Sequence, residues 1–179
     1  MSKKRIIIII SSIVLLVGLL AGLAYMMGWI GGDKQSTSSE PEKKYYSKLT
    51  GNEVSQADSE LPILGVMIEN SEEARPQTGL DSAGIVFEAV TEGGITRYLA
   101  LYQENPPEIV GPVRSVRAHF VDWLMGFDAS VAHVGGSEEG LNLIEERGAK
   151  SLNEFSNSVA YFRDPTSEAP HNMYARTAD

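Results

Sequence analysis

Cysteine is absent from this chain of 179 residues. Its absence excludes disulfide bonds, thiolate metal sites and a thiol nucleophile, and also the lipid-modified cysteine that anchors bacterial lipoproteins. Basic residues are few, since 15 Lys and Arg stand against 24 Asp and Glu and the formal net charge is −9. Domains that bind nucleic acids usually carry a basic face and a high isoelectric point. We therefore expect no nucleic-acid partner.

Histidine is scarce as well, because the chain has three, at positions 119, 133 and 171. They lack the short spacing that brings zinc ligands together. The sequence thus predicts no metal centre and no cofactor, apart from the magnesium ion required by one functional alternative given below. His133 stands at the end of a predicted strand and is a candidate general base or ligand-binding residue. The alternative for His133 is a buried core histidine.

Charge is missing altogether from the 25 residues between Ile6 and Ile30. A helix of that length, rising about 1.5 Å per residue, crosses a hydrocarbon core roughly 30 Å thick. Three basic residues lie within positions 1–5, and basic residues before a span favour an N-terminus in the cytoplasm. We predict a cytoplasmic basic tail (1–5) and a single-pass transmembrane signal-anchor (6–30) in the cell membrane, with the remaining chain extracytoplasmic.

A cleaved signal peptide is the alternative for this segment. Gly22 and Ala24 are small residues of the kind found at cleavage sites. The apolar run is longer than the roughly 7 to 15 residues of a typical signal-peptide core, which favours the anchor.

Residues 31–60 are polar, rich in Ser, Lys and Glu, and lack apolar periodicity. This composition is typical of a flexible tether. Apolar runs begin at Leu61, so we assign residues 61–179 to one extracytoplasmic domain. The sequence ends without a final helix or strand pattern, and we expect this domain to be truncated at its C-terminus.

Apolar runs of strand length occupy residues 63–68 and 85–90 of this domain, and alternation marks residues 95–103. The spacing of Val116, Phe120 and Leu124 predicts a helix over about 115–125. Ser137, followed by two glutamates, predicts the start of another helix. Short connections between the strands favour an α/β (α+β) fold, in which a mixed or antiparallel sheet has flanking helices and is preceded by one transmembrane helix.

Arginines recur at the turns of the predicted domain. Arg97 lies inside the alternating strand, Arg114 and Arg117 follow a Gly-Pro turn, and Arg75 precedes a proline in a loop. A guanidinium group offers a fixed fork of donors that matches a phosphate or carboxylate. The four arginines therefore predict a clamp for one anionic ligand.

Internal salt bridging is the alternative for these arginines. Asp81, Glu88 and Glu92 lie on neighbouring turns and strand ends and are the candidate carboxylate partners. Against this alternative, several buried charge pairs are rarely more stabilising than apolar packing of the same volume.

The longest ordered motifs lie between Leu49 and Arg176. They are LTG at 49–51, MIEN at 67–70, ARPQTGLDSAGIVFE at 74–88, EGGITRYLALYQ at 92–103, GPVRSVR at 111–117 and HVGGS at 133–137. On these motifs the chain resembles the YerB family of bacterial cell-envelope proteins. The resemblance implies an extracytoplasmic domain with no assigned biochemical function. The chain departs from the family in having no lipoprotein cysteine among its 179 residues, and we expect the family's usual C-terminal domain to be missing from it.

The order of strand, glycine pair, strand and PVR turn is also similar to the LytR-CpsA-Psr phosphotransferases, which bind polyprenyl pyrophosphate through arginines. Three functions stay open, and so does the question of whether this domain is an enzyme. The leading one is a membrane-anchored protein that binds an anionic envelope ligand through its arginines. The alternatives are a phosphotransferase-like enzyme acting on polyprenyl pyrophosphate-linked glycans, with Mg²⁺ held by carboxylates, and a non-catalytic envelope scaffold or assembly factor.

Overall fold

The computed structural model describes residues 3–28 and 42–177. Its first helix, α1, extends from Lys3 to Met26. The helix has 24 residues, a mean hydropathy of 3.0 and no buried residue, so its length and composition suffice to cross a bilayer. The helix begins three residues before the predicted start at Ile6, and the last two residues of the predicted span lie outside the described residues.

Residues 43–177 form a compact unit of their own, in which strands and helices alternate irregularly. In chain order they are β1 (Tyr45–Tyr46), β2 (Glu53–Val54), α2 (Gln56–Glu60), β3 (Leu64–Glu69), β4 (Ile85–Val90), β5 (Thr96–Tyr102), β6 (Ile109–Val110), α3 (Ala118–Met125), β7 (Ser130–His133), α4 (Glu138–Arg147), β8 (Lys150–Asn153), β9 (Tyr161–Arg163) and β10 (Met173–Arg176). Short 3₁₀ helices occupy Glu72–Ala74, Leu80–Ser82, Glu92–Gly94 and Ser158–Ala160.

The main sheet has five strands in the order β4-β5-β3-β7-β8. The β4–β5 and β5–β3 pairs are antiparallel, and the β3–β7 and β7–β8 pairs are parallel. A second sheet of three antiparallel strands has the order β6-β10-β9. The mixed sheet with flanking helices confirms the predicted fold class.

Both faces of the main sheet are covered, because each has its own apolar cluster. On one face Met67, Leu99 and Leu101 pack with Phe120 of α3 and Ile144 of α4. On the other face, the alternate positions of β3 and β5 pack against the second sheet through Val66, Ile68, Ala100, Tyr102, Val110, Tyr161, Met173 and Ala175. The domain therefore has three layers, with the helices and the small sheet on opposite sides of the main sheet.

The two predicted helices of the domain are present. Helix α4 follows the N-cap Ser137, whose hydroxyl accepts a hydrogen bond from Gly140 N at 3.1 Å, and ends at Gly148 in the left-handed conformation with φ 64°. Helix α3 begins at Ala118 rather than near Ser115, because residues 111–117 are held extended by contacts with β3 and the β7–α4 connection. Its buried face carries Phe120 and Leu124, as the spacing predicted.

The tether predicted for 31–60 is wrong for residues 43–60, which belong to the folded unit. Ser47 is buried, and Leu49 joins the apolar cluster under the helices. The Ser47 hydroxyl and the Leu49 amide donate to Gln103 Oε1 at 3.0 and 3.1 Å. Hydrogen bonds to the buried Gln103, together with the burial of Leu49, thus hold this polar segment against the domain. Residues 31–41 of the predicted tether lie outside the described residues.

Strands β8 and β10 are elements that the sequence patterns did not predict. Strand β10 lies between β6 and β9 and buries Met173, Tyr174 and Ala175. Three of the four residues of β10 are buried, so it shows no alternation of apolar and polar side chains. Its pairing with strands distant in the chain is a tertiary effect that no local pattern indicates.

Leu49→Ala tests whether residues 43–60 are part of the domain. The free energy of unfolding of the full chain in non-ionic detergent should fall by about 2–3 kcal/mol, the cost of truncating a buried leucine. Urea denaturation followed by circular dichroism measures this change. Lys48→Ala, at an exposed neighbouring position, should change stability by less than about 0.5 kcal/mol. Equal midpoints for the two variants would show that the segment is a tether after all.

Candidate functional site

Three of the four arginines predicted to form the clamp, Arg97, Arg114 and Arg117, lie where a loop crosses the ends of β3 and β5. Residues 111–117 form this loop, which is held by main-chain hydrogen bonds from Glu69 N to Pro112 O (2.9 Å), from Arg114 N to Met67 O (2.9 Å) and from Val134 N to Arg114 O (3.0 Å). Arg97 lies opposite Glu69 in the β3–β5 pairing. The sheet therefore brings Arg97 next to the loop that carries Arg114 and Arg117.

Arg97 is the buried member of this group, with 8% of its side chain exposed. Its Nη1 donates to the Ser115 carbonyl, its Nη2 lies 4.0 Å from Glu92 Oε2, and its Nε is buried without a hydrogen-bond partner in the described chain. Burial, followed by the charges of Arg117 and Arg114, lowers the pKa of Arg97 to about 10. The guanidinium still carries its charge at neutral pH, in a place where charge is costly.

Arg117 pairs with Glu92 at the surface. Its Nε donates to Glu92 Oε1, and its Nη1 donates to the Val116 carbonyl at 2.8 Å. The Glu92 side chain is 65% exposed, and it starts a turn in which Gly93 and Gly94 have φ values of 67° and 78°. The hydrogen bond from Arg117 is the largest cause that lowers the pKa of Glu92 to about 2.

Arg114 lies beside a different carboxylate, that of Glu69. The Glu69 side chain is 6% exposed, and its Oε2 is 3.3 Å from Arg114 Nε, although the two atoms are not aligned for a hydrogen bond. Glu69 Oε1 accepts hydrogen bonds from Ser71 Oγ at 3.1 Å and from His171 Nδ1 at 3.0 Å. One buried carboxylate thus holds side chains from three separate segments.

Sequence reasoning missed both Glu69 and His171. Glu69 is the last residue of β3 and directly follows its apolar run. A carboxylate in that position is a local signal from which Glu69 could have been chosen as a candidate site residue. His171 is 102 residues from Glu69, and no local pattern connects the two.

Arg75 pairs with no carboxylate among the residues that the structure describes. It is exposed, and it donates from Nε to Asn70 Oδ1 at 3.1 Å and from Nη2 to the Asn70 carbonyl at 3.2 Å. Asn70 Nδ2 in turn donates to Glu88 Oε1 at 3.1 Å, and Glu88 also accepts from Thr96 Oγ1 at 2.6 Å. Arg75 and Glu88 are therefore connected through Asn70, which lies next to Glu69.

The proposed carboxylate partners do not converge on one point. Asp81 is exposed on the 3₁₀ helix at 80–82, Glu88 bonds to Asn70 and Thr96, and Glu92 bonds to Arg117. Over residues 3–28 and 42–177, no group of three or more His, Asp or Glu side chains is arranged to hold a metal ion.

His133 is completely buried at the end of β7, away from solvent. Its Nδ1 lies 2.7 Å from the Gly135 carbonyl and its Nε2 lies 2.8 Å from Ser151 Oγ. Because a carbonyl only accepts, Nδ1 carries the hydrogen and Nε2 accepts from the serine. Burial lowers the pKa of His133, which favours the neutral ring. With both nitrogens occupied, His133 has the geometry of a core residue.

An open cleft of about 520 Å³ borders the Arg117–Glu92 pair. His119, Asp122 and Glu139 also line it. Asp122 is paired at 3.2 Å with Arg147, a residue that does not line the cleft. Carboxylates outnumber arginines on this surface, so an anion that enters here must displace Glu92 rather than add to it.

The charges of the cluster do not balance internally. Burial, and after it the charges of Arg117 and Arg114, lowers the pKa of Arg97. Among the described residues, the three arginines pair with two carboxylates, Glu69 and Glu92. The cluster therefore carries one uncompensated positive charge, which favours an anion that takes the place of Glu92.

The Arg117–Glu92 pair should make stability depend on pH in acid. Because the folded pKa of Glu92 lies below its ordinary value of 4.5, its contribution is complete above pH 4.5 and is lost as the pH falls towards 2. Across that window, the wild-type chain should lose on the order of 0.5 kcal/mol more unfolding free energy than Glu92→Gln, the range of an exposed ion pair. Urea denaturation at a series of pH values measures the difference.

Glu146→Gln is the matched control for this experiment, since Glu146 is exposed on α4. Its pH profile should run parallel to that of the wild type. A parallel profile for Glu92→Gln as well would mean that the Arg117 pairing contributes nothing to stability.

Known proteins resemble this chain over the same region. Residues 49–179 match the N-terminal domain of a family described as a protein of unknown function (DUF3048). The chain is 42% identical over 134 residues to a Bacillus subtilis (strain 168) protein named "Putative lipoprotein YerB", a match that covers 74% of this chain and 40% of that protein.

The crystal structure of the YerB protein from Bacillus subtilis has a similar fold, with a TM-score of 0.72 and 39% identity over 75% of this chain and 47% of that chain. The chain spans less than half the length of these relatives. The family match and the identity confirm the resemblance found in the sequence motifs, and the chain therefore belongs to the YerB-like DUF3048 family, whose function is unknown.

Proposed function

We propose that this chain is a membrane-anchored envelope protein whose extracytoplasmic domain binds an anionic ligand through the cluster of Arg97, Arg114 and Arg117. The observation that supports it best is the charge imbalance, three guanidinium groups against two paired carboxylates. A buried positive charge without full compensation costs free energy, and a ligand anion would recover that cost.

Unused donors in the cluster support the same proposal. The Nε atoms of Arg97 and Arg114 are buried and have no hydrogen-bond partner in the described chain. Buried polar groups in folded proteins are nearly always hydrogen-bonded, and exceptions mark strained or functional positions. Guanidinium donors that are already desolvated form strong charge-assisted bonds to phosphate or carboxylate.

Glu92 has the properties of a removable counter-ion. It is 65% exposed, stands on a turn with two glycines, and bonds to the arginine that lines the cleft. A ligand phosphate or carboxylate that replaces Glu92 would meet Arg117 in the geometry that the glutamate now uses. None of the residues 92–94 in this turn is buried, so movement of the turn would expose none of them to new solvent contact.

The N-terminal helix gives this site a location. Lys3–Met26 has the length and composition of a membrane span, and the basic residues at positions 3–5 favour the cytoplasmic side for its start. In that orientation the domain lies outside the cytoplasm. Lipid-linked phosphates, such as polyprenyl pyrophosphate, are anions of that membrane surface and form the ligand class that we propose.

A structural role for the arginines is the second candidate, and one observation favours it. Arg97 and Arg117 each donate to a main-chain carbonyl of the 111–117 loop, Ser115 and Val116 respectively. These two arginines therefore also fasten the loop, as the scaffold alternative requires.

Isothermal titration of the full chain in non-ionic detergent with geranyl pyrophosphate tests the proposed function. We expect binding that Arg117→Gln weakens about tenfold, since a hydrogen bond to a charged group contributes roughly 1.5–3 kcal/mol. Glu92→Gln removes the competing carboxylate and should tighten binding several-fold. Arg176→Gln is the matched control, because its guanidinium lies over the Phe162 ring in the second sheet.

The result that overturns the proposal is absence of binding, or equal affinity for wild type and Arg117→Gln when circular dichroism shows both folded. The scaffold candidate would then stand. Release of phosphate from geranyl pyrophosphate upon addition of magnesium would instead identify the phosphotransferase alternative.

A further inference from the structure

We propose that Glu69, Arg114 and His171 form a subsite for a terminal phosphate group, with His171 Nε2 and the terminal nitrogens of Arg114 as the atoms that contact the ligand. This inference rests on the proposed function and specifies part of it. It brings in a histidine that no sequence motif indicated, and it narrows the ligand class from anions in general to phosphates that carry a hydroxyl.

Burial arranges the three side chains in a definite order. The Glu69 side chain is 6% exposed, while those of Arg114 and His171 are 28% and 25% exposed. The carboxylate thus lies beneath two side chains that reach solvent. The carboxylate contacts His171 at Nδ1 and Arg114 at Nε, which are the sides of the two side chains that face the buried Glu69. Such contacts fix the orientation of a side chain whose other nitrogens can bind a ligand.

Three nitrogen atoms of this group, His171 Nε2 and the two terminal nitrogens of Arg114, have no hydrogen-bond partner in the described part of the chain. Glu69 uses Oε1 for His171 Nδ1 at 3.0 Å and for Ser71, and its Oε2 faces Arg114 Nε at 3.3 Å. Within the described residues, neither His171 Nε2 nor the terminal nitrogens of Arg114 take part in a hydrogen bond, and none of them is buried without a partner. These atoms are therefore open to solvent.

Arg114 differs in this respect from the other two arginines. Arg97 and Arg117 both donate from a terminal nitrogen to a carbonyl of the loop, and both have less than a fifth of the side chain exposed. Arg114 makes no such bond in the described chain. Of the three, Arg114 is thus the arginine whose fork is free to bind a ligand in a bidentate manner.

The orientation of His171 selects the chemistry of the ligand. A carboxylate only accepts hydrogen bonds, so Nδ1 carries the hydrogen that points to Glu69. In the neutral ring, Nε2 is then an acceptor, and the ligand must supply a hydrogen. A phosphate monoester, or the terminal phosphate of a diphosphate, can supply this hydrogen, because its second pKa is about 6 and about a tenth of it still carries a hydroxyl at pH 7. Its remaining oxygens are acceptors for Arg114.

Phosphodiesters and sulfate fit this subsite less well. Each carries negative oxygens for Arg114 but has no hydroxyl at neutral pH to donate to Nε2. The subsite therefore favours an end group, such as the terminal phosphate of a lipid diphosphate, over the backbone of a phosphodiester polymer.

Imidazole resonances give a direct test, since the chain has three histidines and their environments differ. The full chain, labelled with ¹⁵N-histidine in non-ionic detergent, is titrated with methyl phosphate, dimethyl phosphate and sulfate. We expect the Nε2 resonance of His171 to shift and saturate with methyl phosphate and to move little with the other two. The resonances of His133, which is buried and bonded at both nitrogens, should not move and report that the fold is intact.

Two substitutions distinguish ligand contact from structural support. Arg114→Gln should abolish the shift of His171 while the His133 resonances stay in place. His171→Gln should lower the affinity for methyl phosphate about tenfold, the effect of losing one hydrogen bond to a charged group, and should make the affinities for methyl phosphate and sulfate equal. Arg176→Gln, in the second sheet, should change neither the affinity for methyl phosphate nor its ratio to the affinity for sulfate.

The outcomes separate this inference from the proposed function. Binding of geranyl pyrophosphate that Arg117→Gln weakens, without any shift of His171, would overturn the subsite and leave the proposed function standing. A shift of His171 with sulfate as large as with methyl phosphate would overturn the assignment to terminal phosphates. Absence of binding by every anion would overturn both.

Discussion

The buried charge of Arg97 is the constraint on which the rest of the site depends. A guanidinium with 8% of its side chain exposed needs acceptors close by, and β5 itself offers none, since its main chain is bonded to β3 and β4. The nearest acceptors come from other segments: the Ser115 carbonyl in the loop at 111–117 and the Glu92 carboxylate in the turn before the strand. The loop must lie across the strand ends for Arg97 to be accommodated.

The same placement of the loop produces the surplus of positive charge. Once residues 111–117 cover the strand ends, Arg114 and Arg117 lie beside Arg97 and lower its pKa. Glu69 and Glu92 offset part of this repulsion from opposite sides. The stability of the loop and the capacity to bind an anion therefore have one physical origin, which explains why structural and ligand-binding roles overlap for Arg97 and Arg117.

The fold class followed from local patterns. Alternation in residues 95–103, the apolar run at 85–90 and the capping serine at position 137 identify elements that the structure contains with nearly the same bounds. Each of these signals acts within a few residues of the chain. Segments without such a signal cannot be assigned from the sequence. The polar residues 43–60 resemble a tether in composition, but a few buried contacts make them part of the domain.

The sequence by itself determined the apolar helix, strands β3, β4 and β5, helices α3 and α4, the family motifs and the recurrence of arginine at turns. Only the tertiary structure decided what those arginines contact. Glu69 contacts both Arg114 and His171, and His171 is 102 residues from Glu69 along the chain. His133, a candidate general base in the sequence, lies in the core. Periodicity and capping depend on neighbours along the chain, whereas the pairing of charges depends on which strand ends and loops meet when the sheet closes.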